Sequence, residues 1–362
     1  MMSLIIGIGA VLVLTIFYLI FKVGKLVSIA KGKQAYDVSK SNGIHATLFI
    51  VFLIAGLGLF FWYSWTYFDK YTLPVASEHG AVTDTLFWIS MVVVVAAFVI
   101  ISIIMFVFLY QYQYREDRKA KFYPDNHYLE LAWTVVPAIV LAVLIFTGLS
   151  AWQDITSPAS KDAEVVELVA QQFAWTARYP GVKDEALGNY NFQLIDPINE
   201  FGLDLTDKNS FDDFKSLELH IPAGKEILLK IRAKDVLHSV FLPHFRVKMD
   251  AVPGMPTQFK FTATHTTKQM REKLGNPNFN YEMACTEICG RGHFSMKMPV
   301  VVHSPEEFEE WKKAQEAWLK QNPSYLDKVP AGLREAAMIS AGIPLENAIA
   351  SGVVGSQSVS VK

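Results

Sequence analysis

CTEICGRGHFSM, residues 285–296, packs two thiols, an imidazole and a thioether into twelve residues, in the spacing Cys-x3-Cys-x3-His-x2-Met. A disulfide between Cys285 and Cys289 would leave His293 and Met296 unexplained. A structural zinc site seldom takes a thioether, whereas thiolate, thioether and imidazole together favour copper. A mononuclear electron-transfer copper uses one Cys, two His and a weak axial Met. A second Cys enlarges that set, because two thiolates can bridge two copper ions. An electron shared between bridged metals changes bond lengths little, which suits a relay better than a catalyst. A second imidazole is needed, and His238 in DVLHSVFLPHF follows a β-rich run and leads the candidates. His244 is the next, while His220, His265 and His303 read as surface or sheet residues and His45, His79 and His127 lie near membrane ends.

Outward from this segment the texture is that of short strands separated by polar turns. Runs 165–170, 216–221, 226–233, 259–264, 279–284 and 298–303 are β-rich, with no helix alternating between them. That pattern predicts an antiparallel sandwich or barrel. Residues 195–215 read as an acidic surface loop. Residues 304–322 open on Ser, Pro and two Glu, so they predict an amphipathic helix. Beyond 322 the chain thins to small residues, and 323–362 is expected to be loose or to lie on another subunit.

The first half has another character. Of the 362 residues 51% are hydrophobic and only 19% charged, which excludes disorder and argues against a purely soluble protein. Charge-free runs at 4–21, 44–65, 85–110 and 131–152 are each long enough to cross about 30 Å of hydrocarbon. The loop after the first run carries Lys22, Lys25, Lys31, Lys33 and Lys40, and that after the third Arg115, Arg118, Lys119 and Lys121. The second loop has only Lys70 beside Asp69, Glu78 and Asp84, so the first and third loops are expected in the cytoplasm and everything after residue 152 outside. A cleaved signal peptide fits the first run less well, since its lysines follow the apolar stretch and no A-x-A pattern is evident. The net charge of −2 gives no basis for a nucleic-acid partner. Two cysteines make no disulfide framework, and without CxxCH they attach no c-type haem.

DVLHS, DAVPGM at 250–255, CTEICGRGHFSM followed by MPVVV, and LELAWTVVPAI at 129–139 together resemble subunit II of cytochrome c oxidase, over about residues 83–320. The resemblance implies an α-helical transmembrane anchor plus an all-β, cupredoxin-like Greek-key sandwich. It implies a two-copper (CuA) centre with ligands at His238, Cys285, Cys289, His293 and Met296, and the backbone carbonyl of Glu287. It also implies a magnesium ion on the Glu287 side chain at the subunit I interface, and Glu130 at the mouth of a proton channel. Electrons would come from cytochrome c, or a membrane-bound cytochrome c donor, and pass to haem in subunit I, where oxygen is reduced with proton translocation. Lys248 and Asp250 also fall on family positions. The resemblance implies the family's hairpin in 67–152 and a copper domain in 153–303 outside the membrane; two additional helices are expected in 1–66, and these with the long tail suggest a bacterial cytoplasmic membrane with the copper domain on its periplasmic side. The additional helices are expected to contact lipid, other oxidase subunits or a partner complex.

Two features depart from the family. The stretch Gln172-Phe173-Ala174-Trp175 places Phe173 where the family often has the Trp that receives electrons, which leaves Phe173 and Trp175 as candidates for that step. The two additional spans are unusual as well. Alternatives of another class are a membrane-tethered copper store or carrier, and a quinol-oxidase subunit II, which shares the fold but lacks the copper ligands.

Overall fold

The computed structural model of the chain describes residues 2–31, 36–115, 117–182 and 186–344. Four long helices come first: α1 (Met2–Ala30), α2 (Tyr36–Thr66), α4 (Glu78–Gln111) and α5 (His127–Thr156), with a single turn α3 (Phe68–Tyr71) after the second. Each carries an apolar window long enough to span a bilayer, and the chain itself buries almost none of those windows. Their leucine, isoleucine, valine and phenylalanine side chains therefore need lipid or other subunits as their covering. Pro137 is accommodated within α5. In the first compact unit, within 1–71 and 89–138, α2 and α4 meet through Phe49 and Phe52 on Phe106, at ring-centroid distances of 5.8 and 5.9 Å.

The second unit comprises 72–88 and 139–362. Its strands are β1 (Glu164–Gln171), β2 (Ala174–Tyr179), β3 (Phe214–Ser216), β4 (Leu219–Pro222), β5 (Glu226–Ala233), β6 (His238–Leu242), β7 (Val247–Ala251), β8 (Thr257–Thr262), β9 (Tyr281–Cys285) and β10 (Lys297–His303). They form two five-stranded sheets, β3-β2-β1-β5-β8 and β4-β10-β9-β6-β7. One core lies between them, where Val166, Leu168, Ile227, Leu229 and Ile231 meet Val240, Leu242, Met283, Met298 and Val300. The cupredoxin-like sandwich is thus present, but it is not purely antiparallel: β1 pairs with β5, and β4 with β10, in parallel. Short β-rich runs reveal strand content, whereas direction depends on partners far apart in sequence. Helix α6 (Thr267–Leu274), opened by a Thr266–Gln269 capping box and closed by Gly275 in the left-handed region, crosses over between β8 and β9.

Three expectations for the outer face are corrected. Residues 195–215 are no mere surface loop, because Phe201, Leu203, Leu205 and Phe211 are buried in a second core. Residues 304–322 do not form one helix. A capping box of Ser304 and Glu307 starts α7 (Pro305–Lys313), which stops at Ala314, and α8 (Trp318–Gln321) follows. The break occurs because the Trp318 amide donates to the Asp213 carbonyl at 2.7 Å while Trp318 and Leu319 sink into that second core. Residues 323–344 are packed rather than loose: Tyr325, Leu326 and Val329, then Ala337 and Met338 of α9 (Arg334–Ala341), complete the same core. Residues 345–362, the remainder of the expected tail, lie outside the described residues. The second core covers the outer face of β1, which is why Val169 is buried alongside its inward-facing neighbours.

Candidate metal centre

Strand β6 delivers His238 and the end of β9 delivers Cys285. Pairing of Val240 with Cys285 brings the two together across 47 residues of sequence. The following loop folds back so that the Cys285 amide donates to the Met296 carbonyl, which sets Cys289, His293 and Met296 against the same spot. The two sulfurs lie 3.8 Å apart. On one side, Cys285 Sγ is 3.9 Å from His238 Nδ1 and 3.3 Å from the Glu287 carbonyl oxygen. On the other, Cys289 Sγ is 3.6 Å from His293 Nδ1 and 3.9 Å from Met296 Sδ. Both cysteines are reduced, and His238, Cys285 and Cys289 are all buried. All the candidate copper ligands named from the sequence are therefore brought together, each thiol with its own imidazole.

Electrostatics favour a cation here. Burial pushes the Cys289 thiol up to about 11, and its hydrogen bond and charge interaction with Cys285 add to the rise. The Cys289 thiol therefore resists ionising unless a positive charge shares the space, and the donor set around it fits soft metal ions. The imidazole is prepared as well. His238 Nε2 hydrogen-bonds Asp235 Oδ1 at 2.9 Å, so the ring proton sits on Nε2 and the Nδ1 lone pair faces the sulfur. Burial works to raise Asp235, yet the Gln172 amide and the His238 ring hold its carboxyl below the usual range.

Asp235 and Gln172 were missed from the sequence. A carboxylate three residues before a candidate ligand histidine was the available signal for the former, and the latter stood at the head of Gln172-Phe173-Ala174-Trp175 without its own role being read. Trp175 is 3% exposed and sits edge-on to His238, with ring centroids 6.0 Å apart. Phe173 is 39% exposed, and its ring lies against the loop at Gly292, where an added Cβ would come within 2.6 Å of it. Ile288 and Phe294, each beside a candidate ligand, are 85% and 83% exposed, so the loop presents an apolar rim. Lys248 and Asp250 are exposed on β7 and 3.4 Å apart. Glu130 lies exposed in the first turn of α5, apart from this cluster in sequence and in compact unit. His244 packs on Phe279 and Tyr281, and His220 on His303 and Trp311, so neither joins the sulfur cluster.

Comparison with known proteins agrees with this architecture. Residues 165–305 match the family model for the periplasmic domain of cytochrome c oxidase subunit II, and residues 64–150 match that for its transmembrane domain. The alternative cytochrome c oxidase subunit 2 of Bradyrhizobium diazoefficiens is 33% identical over 251 residues, covering 68% of this chain and 84% of the relative. Cytochrome c oxidase subunit 2 of Thermostichus vulcanus is 30% identical over 268 residues, 67% of this chain and 77% of the relative. The crystal structure of the periplasmic domain of subunit II of cytochrome oxidase from Bradyrhizobium japonicum aligns at 21% identity with a TM-score of 0.30, covering 43% of this chain and 95% of that one. With four membrane-length helices ahead of a β-sandwich domain, and with both parts of the family matched, the chain belongs to the cytochrome c oxidase subunit II family and is a membrane-bound subunit of an oxidoreductase.

Proposed function

We propose that this chain is the electron-relay subunit of its oxidase, taking electrons from a cytochrome c and passing them to haem in subunit I, where oxygen is reduced to water with proton translocation. One observation carries the reading: two thiols 3.8 Å apart, each with its own imidazole, and a thioether and a backbone carbonyl completing the two sides. His238, Cys285, the Glu287 carbonyl, Cys289, His293 and Met296 would hold two copper ions. When bound, such a pair supplies one-electron chemistry with the charge change spread over two metals. The chain's own part is to fix the ligands, to keep water out through burial of Cys285, Cys289 and Met296, and to offer a docking surface.

At that surface a donor would meet Phe173, since Trp175 is buried behind it against His238. Residues 153–322 carry 20 Lys and Arg against 24 Asp and Glu, a balance suited to a basic partner, chiefly by speeding encounter. The Glu287 carboxylate would hold a magnesium ion at the subunit I interface, and Glu130 would feed a proton channel from the cytoplasmic side. The lysine- and arginine-rich loops support an orientation with the copper domain outside, and the two additional spans support a bacterial cytoplasmic membrane, which makes that side periplasmic.

Metal analysis with electron paramagnetic resonance on the detergent-solubilised full chain tests the relay. Two coppers per chain with one electron shared equally are expected; one localised copper, or none, returns the chain to the storage or quinol-oxidase reading. In the assembled oxidase, Glu130→Ala is expected to slow proton uptake, and unchanged turnover would leave that residue a marker of the membrane edge.

A further inference from the structure

The sulfur cluster is assembled from two segments far apart in sequence, and one residue outside both touches each of them. Gln172, at the turn between β1 and β2, donates through Nε2 to the carbonyl oxygen of Cys289 at 2.5 Å. Its backbone amide donates to Asp235 Oδ2 at 2.6 Å. Asp235 in turn accepts from His238 through Oδ1 and from the Val236 amide at 2.7 Å. The next residue, Phe173, lies flat against the loop beyond Cys289. Gly290 adopts φ +135°, which L side chains rarely adopt, and a Cβ there would stand 3.0 Å from both Gln172 Nε2 and the Phe173 ring. The turn at 172–173 is thus a template on which residues 289–292 are moulded.

We infer that Gln172 is a positioning residue for the metal loop, a clamp that fixes the Cys289 carbonyl and, through Asp235, the His238 ring, so that ligands from the β6 segment and from the β9–β10 loop keep one spacing. The physical need is plain. A relay works best when its ligands do not move on electron transfer, and the β9–β10 loop carries four of them, the Glu287 carbonyl, Cys289, His293 and Met296, while its own backbone hydrogen bonds join residues 290–296. The clamp itself is independent of any metal; its consequence for copper rests on the reading proposed above.

The test uses the full chain in detergent, metal-free and copper-loaded, with Gln172→Met, which keeps the length and removes the donor, and with Gln172→Glu, which keeps length and polarity but offers no amide hydrogens. In the metal-free chain, amide hydrogen exchange across 286–292 is expected to accelerate severalfold in both variants while exchange in β5 stays as in the wild type. In the loaded chain, copper loss to a chelator is expected to be about tenfold faster, with an altered hyperfine pattern. Unchanged loop exchange overturns the clamp, whatever the copper does. Equal acceleration in β5 also overturns it, since Gln172 would then support the whole sandwich. If the wild type holds no copper pair yet the loop loosens in the variants, the relay reading falls and the clamp stands.

Discussion

Two places in the β-domain bury clusters of polar side chains, and they solve the same problem in opposite ways. On the outer face of β1 and β2, Glu167 accepts from Arg178 at 2.7 Å and from Arg232 at 2.9 Å, while Arg178 also reaches Asp213 at 2.6 Å. Each guanidinium also reaches a carbonyl, Arg178 that of Gly188 and Arg232 that of Phe201. Two guanidiniums face two carboxylates, all nearly inaccessible, although burial pushes Asp213 up to about 7 against the pull of Arg178. Burial works to raise Glu167, but the two guanidiniums hold it below the ordinary carboxylate range. The sulfur cluster has no such closure. Its mutual contacts are 3.3–3.9 Å, and its sulfurs face lone pairs rather than cations. A buried cluster that sets opposite charges against each other is a structural joint, whereas one that gathers soft donors with no cation among them is suited to a metal ion.

The contrast is broken first at the sulfurs. Cys289→Ser removes one of the two sulfurs that would hold the proposed copper pair, and the shared-electron spectrum is expected to vanish while the sandwich still unfolds cooperatively; a persisting delocalised spectrum would refute the two-metal proposal. Next, Arg178→Met leaves Glu167 and Asp213 buried without that partner. A loss of about 3–5 kcal/mol is expected in denaturant unfolding, with the copper spectrum of the surviving folded fraction unchanged. A loss under about 1 kcal/mol would mean that the ion cluster is no joint.

A smaller effect tests the histidine pair formed by His220 of the edge strand β4 and His303 at the end of its neighbour β10. His220 hydrogen-bonds His303 at 2.8 Å, is stacked on Trp311 at 4.1 Å between ring centroids, and faces Glu218 at 3.2 Å. Burial, with His303 beside it, lowers His220 from 6.5 to about 4. The folded state therefore stays neutral where the unfolded chain takes up a proton, and stability is expected to fall as pH drops from about 6.5 towards 4 and to be flat above 7. Unfolding midpoints measured across that window check the sign, and His220→Gln should lessen the slope without abolishing it, since burial also lowers His244, His265 and His303.

Much of this was legible from residue types and spacing. Four charge-free runs of membrane length announce the helices, because nothing but lipid or a partner rewards so much continuous apolar surface. Cys285, Cys289, His293 and Met296 declare themselves because soft donors at close spacing have few other uses. The outer face was not legible. Residues 195–215 and 323–344 are each polar or small-residue segments that look like loops, and their few apolar side chains become a core only when the two meet on β1. Nor could the Ser304 helix be bounded, since its end is set by a hydrogen bond to Asp213.

The sequence by itself determined the membrane segments, the strand-rich second half and the identity of the candidate metal-binding side chains, since each follows from local hydropathy, periodicity or donor chemistry. Only the tertiary structure decided which imidazole pairs with which sulfur, that Trp175 is buried while Phe173 meets solvent, and that Gln172 and Asp235 stand behind the ligands. Those facts depend on strand pairing and loop closure between residues tens of positions apart, a distance over which local pattern carries no information.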